Sequence, residues 1–330
     1  MKYRRLGSTD LHVSETGFGA WGIGGGVKVG DVAIGWGETD DKVSLDALEK
    51  AFDLGVNFYD TADFYGLGRS EELIGKAFGN SDKVIIATKA GHRVGDDGKI
   101  MLDYSRDHII NAVEKSLKRL KREAIDLFQF HSAKVHHLQQ GECIEAAERL
   151  KEQGKIRYWG ISLATFDPYP EYEFLKETGL CCSYQIVFNI INQRAFDLIK
   201  DAETNGSGII ARMVLQFGLL TGTMKPGKRF EDTDHRSFRV NDELIATVNS
   251  GLGEIWDTAT REGLTPLDLA VSYPLWQPGV STVIPGIKTA RQAVENKGAV
   301  HPVNRLLDSM IKDLYKSDLY KVTELMQALG

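Results

Sequence analysis

Val56-Asn-Phe-Tyr-Asp60-Thr-Ala-Asp-Phe-Tyr65 is the stretch on which the fold turns. A short β-prone run ends on a carboxylate, and a tyrosine follows five positions later. The pattern recurs with other polar residues: Val84-Ile-Ile-Ala-Thr88 ends on Lys89, and Ile125-Asp-Leu-Phe-Gln-Phe130 ends on His131. If these runs are parallel strands of one sheet, Asp60, Tyr65, Lys89 and His131 all stand at its carboxyl end and face one opening.

Outward from these runs, strand-like and helix-like segments alternate along the chain. Strands are expected near 14–19, 56–59, 84–88, 125–130, 156–161, 183–187, 208–211 and 280–284. Helical periodicity fits 41–54, 70–78, 106–120, 141–153, 170–178, 194–203, 242–261, 266–276, 289–296 and 310–329. Eight strands of this kind predict an α/β fold, a (β/α)8 TIM barrel spanning 1–330 as a single domain. A doubly wound open sheet is the competitor. The barrel is preferred because the polar residues come from several different strand ends. Residues 2–13 predict a short hairpin turning at 8–10 and capping the barrel bottom; 310–329 predicts a carboxyl-terminal helical cover.

The 330 residues carry a net charge of -6, with 42% hydrophobic and 26% charged residues. That composition is ordinary for a globular protein, and a nucleic-acid partner is disfavoured. The amino terminus offers no secretory signal, and no apolar run reaches membrane-spanning length. Cys143, Cys181 and Cys182 are an odd set that argues against disulfides and for a cytoplasmic setting. Gly17-Phe-Gly-Ala-Trp-Gly22 matches G-x-G-x-x-G, but no helical pattern starts before about 41, so it is rejected as a Rossmann fingerprint. It is expected to form a flexible loop at the barrel mouth. There Trp21 and Trp36, with Phe64 and His92, are candidate substrate-pocket walls. No metal site is expected: His136 and His137 are adjacent and diverge, and no H-E-x-x-H spacing occurs.

The four polar residues suit one chemistry. Adding hydride to a carbonyl builds negative charge on oxygen, which needs a proton and aimed donors. A free phenol titrates near roughly 10, and a neighbouring ammonium makes its proton easier to give. Lys89 can supply that charge, Asp60 can hold Lys89, and His131 can orient the carbonyl. The hydride must come from a cofactor.

The chain resembles the aldo-keto reductase superfamily over nearly its whole length. The matching stretches are Gly55–Gly66, Ala87-Thr-Lys89, Ile125–His131, Gly154-Lys-Ile-Arg-Tyr-Trp-Gly-Ile-Ser162, Gly218-Leu-Leu-Thr-Gly222, and Val283-Ile-Pro-Gly286 with Gln292 and Glu295-Asn296. The resemblance implies NAD(P)H-dependent interconversion of aldehydes or ketones with alcohols. It implies Tyr65 as general acid, Asp60 and Lys89 as its tuners, and His131 as the carbonyl-orienting group. Ser162 and Gln185 would grip the nicotinamide amide, Arg212 would lie against the ring, and 218–241 would fold over the dinucleotide bridge. Gly19, Trp21, Leu215, Gly218, Leu220, Gly286, Gln292 and Asn296 are implied as further cofactor contacts. Backbone N–H groups and a helix start in 286–296 suit a phosphate. Lys288, with Arg291 as second candidate, is expected to meet a 2′-phosphate, so NADP(H) is preferred and NAD(H) remains possible. A small carbonyl or sugar-like molecule is the expected substrate, and no oligomeric state is assigned.

The chain departs from the family pattern at two places. Leu163 and Ala164 stand where an Asn is common, removing one carboxamide contact, and Val214 replaces a usual proline, predicting a looser turn after the seventh strand. Two other readings compete: a cofactor-holding regulatory subunit of the channel type, with little turnover, and a Schiff-base aldolase using Lys89.

Overall fold

Strand alternation places the polar groups in the computed structural model, which describes residues 1–329. Strands β1 (Phe18–Gly19), β2 (Phe58–Asp60), β3 (Ile85–Ala90), β4 (Ile125–His131), β5 (Ile156–Ser162), β6 (Ser183–Val187), β7 (Gly208–Arg212) and β8 (Val280–Val283) form one sheet in chain order. All neighbours pair in parallel. The sheet closes on itself through segments flanking β1 and β8. Gly17 N–H donates to Val283 O at 2.8 Å, Val283 N–H to Glu15 O at 3.0 Å, and Gly19 N–H to Pro285 O at 3.0 Å.

Side chains on a strand alternate between its two faces. Tyr59, Ile86, Phe128, Trp159, Tyr184 and Ile209 point outward into the main core, against the surrounding helices. Phe58, Ala87, Leu127 and Ile210 point inward and form a separate bottom cluster with Leu6, Leu11 and Val13 of the amino-terminal hairpin. That hairpin pairs Tyr3–Arg5 with His12–Ser14, as expected of a bottom cap. Two residues further along the same inward face stand Asp60, Lys89, Gln129 and Arg212. The hydrophobic pattern that builds the barrel floor therefore also sets the polar layer above it.

Several expectations require correction. The first strand is not continuous over 14–19: Ser14 belongs to the hairpin and only Phe18–Gly19 enters the barrel. The glycine motif is not an open loop but starts a 3₁₀ turn, Ala20–Gly24. At the barrel mouth the chain forms small hairpins, Lys28–Val29 with Val32–Ala33 and His92–Val94 with Ile100–Leu102. The helix expected at 242–261 breaks into Asp242–Gly251 and Gly253–Arg261, with glycine on both sides of Leu252 weakening the helix there. The terminal helix begins earlier, at Arg305, where the Asn304 side chain accepts from Leu307 N–H at 2.8 Å. A π turn, Tyr315–Leu319, then separates it from Tyr320–Ala328. This cover packs on the loop after β6: Thr323 Oγ1 donates to Ile191 O at 2.7 Å and Gln193 Nε2 to Ile311 O at 3.3 Å. All three cysteines are free.

Candidate active site

Lys89 is 1% exposed and its ammonium has three partners. Nζ donates to Asp60 Oδ1 at 2.6 Å, to Thr61 O at 2.8 Å and to Tyr65 Oη at 3.2 Å. Burial pulls the ammonium down, but Asp60 and Tyr65 outweigh it and hold its pKa above the ordinary lysine value. A lysine kept charged is disarmed as an amine nucleophile, which disfavours the aldolase reading. The other Asp60 oxygen, Oδ2, accepts from Gln185 Nε2 at 2.7 Å and Gln129 Nε2 at 3.2 Å. Both carboxylate oxygens are thus satisfied, as a charge buried at 2% exposure requires.

Tyr65 enters from the turn after β2. Its ring stacks on Trp21 at 5.9 Å and meets the edge of His131 at 5.7 Å. His92 packs on His131 at 4.4 Å. Burial drives His131 well below the usual imidazole range, helped by His92, Lys89 and Arg212; burial alone brings His92 down to about 4. Among the described residues neither Nδ1 has a hydrogen-bond partner. Both rings are neutral near pH 7, and a neutral imidazole can offer an N–H donor without charge.

These histidines set an acid limit. The unfolded chain takes up their protons near roughly 6.5, while the folded chain resists until lower pH. Stability is complete above that value and declines as pH falls from about 6.5 towards about 4, the folded value for His92. Urea midpoints measured between pH 8 and pH 4 should fall in that window, and His92→Phe should flatten part of the fall. An unchanged pH profile in the variant would refute this assignment.

The backbone is strained where the strands deliver their residues. Leu67, Ser132, Met213, Gln216 and Phe217 all have positive φ without being glycine. Such residues persist only where neighbours over-determine them. After β7 the restraint is Asn189, whose Nδ2 donates to Met213 O at 2.9 Å and to Gln216 Oε1 at 2.6 Å. The turn expected to loosen at Val214 is therefore pinned. Gly66, beside Tyr65, has φ 62°, and a Cβ there would press on the Gly24 carbonyl oxygen. Gly66→Ala is expected to cost more than about 1 kcal/mol of stability and to lower activity by displacing Tyr65. Thermal melts paired with turnover measure both effects.

A pocket of about 940 Å³ opens above these groups. Asp60, Tyr65, His131, Ser162, Gln185 and Arg212 line it, as do Gly19, Gly286, Lys288 and Gln292. Trp21, Trp36, Phe64, His92, Leu215 and Gly218 also line it. Leu220 and Asn296 do not. The turn Gln216–Thr221 is left-handed at Phe217 and Gly218, which rolls Leu220 into the core at 0% exposure. Asn296 is buried on its helix at 3% exposure, with Nδ2 unpartnered. The tail after Gly298 contributes no lining residue. Lys288 Nζ donates to Trp36 O at 2.7 Å and Glu38 O at 3.1 Å, joining the β8 loop to the β1 loop. Arg291 is paired with Glu295 at 2.7 Å on the surface. The His136 and His137 rings do not diverge; their centroids lie 3.9 Å apart.

Sequence reasoning missed Gln129, Phe230, His235, Arg236 and Arg239. Gln129 was legible: it shares the inward face with Leu127 and His131. The others lie on an aperiodic loop held against the β1 loop, where His235 N–H donates to Gly35 O at 2.8 Å. Lys225, Lys228 and Arg239 give this stretch of the pocket a cationic wall, while Arg236 is paired with Asp234 at 2.6 Å; among the described residues Arg239 Nε has no partner. Such a wall, continuous with a polar floor, fits an extended polyanion such as a dinucleotide.

The comparisons agree with this geometry. The model of the Aldo/keto reductase family matches residues 16–318. The "Uncharacterized oxidoreductase YqkF" of Bacillus subtilis is 33% identical, covering 97% of this chain and 99% of its own. Among solved structures, the holo form of aldo-keto reductase AKR11C1 from Bacillus halodurans is 30% identical, with TM-score 0.75 over 97% of this chain and 98% of that one. The glycerol dehydrogenase AKR11B4 from Gluconobacter oxydans is 27% identical, with TM-score 0.80 over 96% of both chains. The chain belongs to the aldo/keto reductase family and is an oxidoreductase of that family with a (β/α)8 barrel.

Proposed function

We propose that the protein reduces small aldehydes or ketones, including sugar-like ones, with a nicotinamide dinucleotide, and oxidises the matching alcohols in reverse. The observation that carries this reading is the Lys89 ammonium, held between Asp60 at 2.6 Å and Tyr65 at 3.2 Å on the floor of a dinucleotide-sized pocket. Bound there, the reduced cofactor supplies the hydride. Tyr65 Oη gives the proton to the carbonyl oxygen. Lys89 favours the phenolate left behind, and Asp60 fixes Lys89. Neutral His131 donates a hydrogen bond to the same oxygen. Trp21, Phe64 and His92 wall the substrate end; Ser162 and the Gln185 carbonyl hold the nicotinamide amide.

NADP(H) is favoured over NAD(H). The Lys288 ammonium rests on two neutral carbonyls, and a phosphate is the stronger acceptor for it. Lys288→Met is expected to weaken NADPH by about tenfold and NADH far less, each tenfold being about 1.4 kcal/mol. Equal loss for both nucleotides would leave Lys288 only its role in joining the two loops. Among the described residues no helix is long and apolar enough to cross a membrane. With three free thiols, a cytoplasmic setting fits. The deciding experiment is a panel of aldehydes, ketones and sugars followed by NADPH absorbance in both directions. Turnover with none of them, alongside tight NADPH binding, would favour the regulatory-subunit reading.

A further inference from the structure

Arg212 is a cation without a counter-ion among the described residues. It ends β7 on the inward face and lines the pocket beside Asp60, Tyr65, Ser162 and Gln185. Its guanidinium is anchored by neutral groups. Nη2 donates to Leu163 O at 3.1 Å and Thr165 Oγ1 at 3.3 Å, while Nη1 lies 3.1 Å from Met213 Sδ. Nε is buried with no partner, and the side chain forms no ion pair among the described residues.

The remaining charges at this end of the pocket cancel. Asp60 and Lys89 neutralise each other across 2.6 Å. His131 and His92 are kept neutral by burial. The floor therefore carries one net positive charge, located on Arg212.

That charge distinguishes the two forms of a nicotinamide. The reduced ring is neutral. When hydride, one proton with two electrons, leaves its C4 for the carbonyl carbon, the ring becomes cationic, and the carbonyl oxygen takes a proton from Tyr65. The phosphates carry the same charge before and after, so they drop out of the comparison.

We propose that Arg212 sets the redox-state preference of the site, making it hold the reduced dinucleotide more tightly than the oxidised one and biasing the bound equilibrium towards carbonyl reduction. The inference rests on the proposed function, which puts the nicotinamide ring beside Tyr65. Leu163 and Thr165 matter to it because they hold the guanidinium in place. The Leu163 carbonyl accepts from Arg212 just past Ser162, close to where the family commonly has an asparagine.

The test is direct binding, not turnover. The purified protein is titrated with NADPH and separately with NADP⁺ by calorimetry. The wild-type ratio of Kd for NADP⁺ to Kd for NADPH is expected to exceed about tenfold, which corresponds to about 1.4 kcal/mol. Arg212→Gln keeps hydrogen-bond donors but removes the charge, and its ratio should fall several-fold, chiefly because NADP⁺ binds better. Arg212→Lys retains the charge and should keep most of the ratio even where both affinities weaken. A Gln variant that loses affinity equally for both forms, with the ratio intact, would reduce Arg212 to packing and overturn the inference while leaving the proposed function standing. Wild-type protein that bound neither nucleotide would overturn both.

Discussion

Tyr65→Phe is expected to lower kcat/KM for carbonyl reduction by about 10²–10⁴-fold, the usual worth of a positioned proton donor. The Kd for NADPH should stay nearly unchanged. The substitution is conservative in space: a phenylalanine keeps the ring that stacks on Trp21 at 5.9 Å and meets His131 at 5.7 Å. Only the hydroxyl is lost, and with it the group 3.2 Å from the Lys89 ammonium. His131 still donates a hydrogen bond to the substrate oxygen, so a residual rate is expected rather than none. Because the loss falls in the transition state, kcat and kcat/KM should drop together. Full activity in the variant would move the proton donor elsewhere. A selective rise in KM with kcat intact would make Tyr65 a binding residue only.

Much of this site could be read from the sequence because period-two alternation links chemistry to packing. Phe58 and Asp60 share a face, as do Ala87 and Lys89, or Leu127, Gln129 and His131. Once the apolar members are assigned to the barrel floor, the polar members have one place to go. The amino-terminal cap was legible for the same reason: Leu6, Leu11 and Val13 are apolar at spacings that let a hairpin bury them together. The mouth was not legible. Val32, Ile34 and Ile100 wall the pocket from segments with no sustained period. The Trp36–Asp234 bridge joins loops nearly two hundred residues apart, through backbone groups that carry no side-chain signal. Nor could pattern place Leu220 outside the pocket, since its direction follows from the left-handed turn at Phe217 and Gly218. Asp63 shows the limit from the other side. It lies inside the most informative stretch, yet burial, with Glu71 nearby, pushes its carboxyl well above the usual range despite Arg119 and Lys89. Asp60, by contrast, is met directly by the Lys89 ammonium at 2.6 Å.

Lys89→Met should produce a large loss of stability. Removing one partner of a buried ion pair leaves the other charge uncompensated, at a cost of about 3–5 kcal/mol. Here Asp60 would keep two amide donors on Oδ2, from Gln185 at 2.7 Å and Gln129 at 3.2 Å, so the lower end of that range is expected. Thr61 O would also lose its donor. Denaturant midpoints at constant slope measure the change. The same variant should lack carbonyl reduction, because Tyr65 loses the ammonium that lies 3.2 Å from its hydroxyl. The two effects separate in the double variant Asp60→Asn with Lys89→Met. With both charges gone, much of the stability should return, as it does when a buried pair is replaced as a unit, and the coupling appears as a non-additive term in the double-mutant cycle. Activity should not return, because no ammonium is restored beside the phenol. A double variant that recovered both would show that Lys89 serves the fold alone. One that recovered neither would show that the pair is not an isolated unit and that Gln129 and Gln185 are oriented by it.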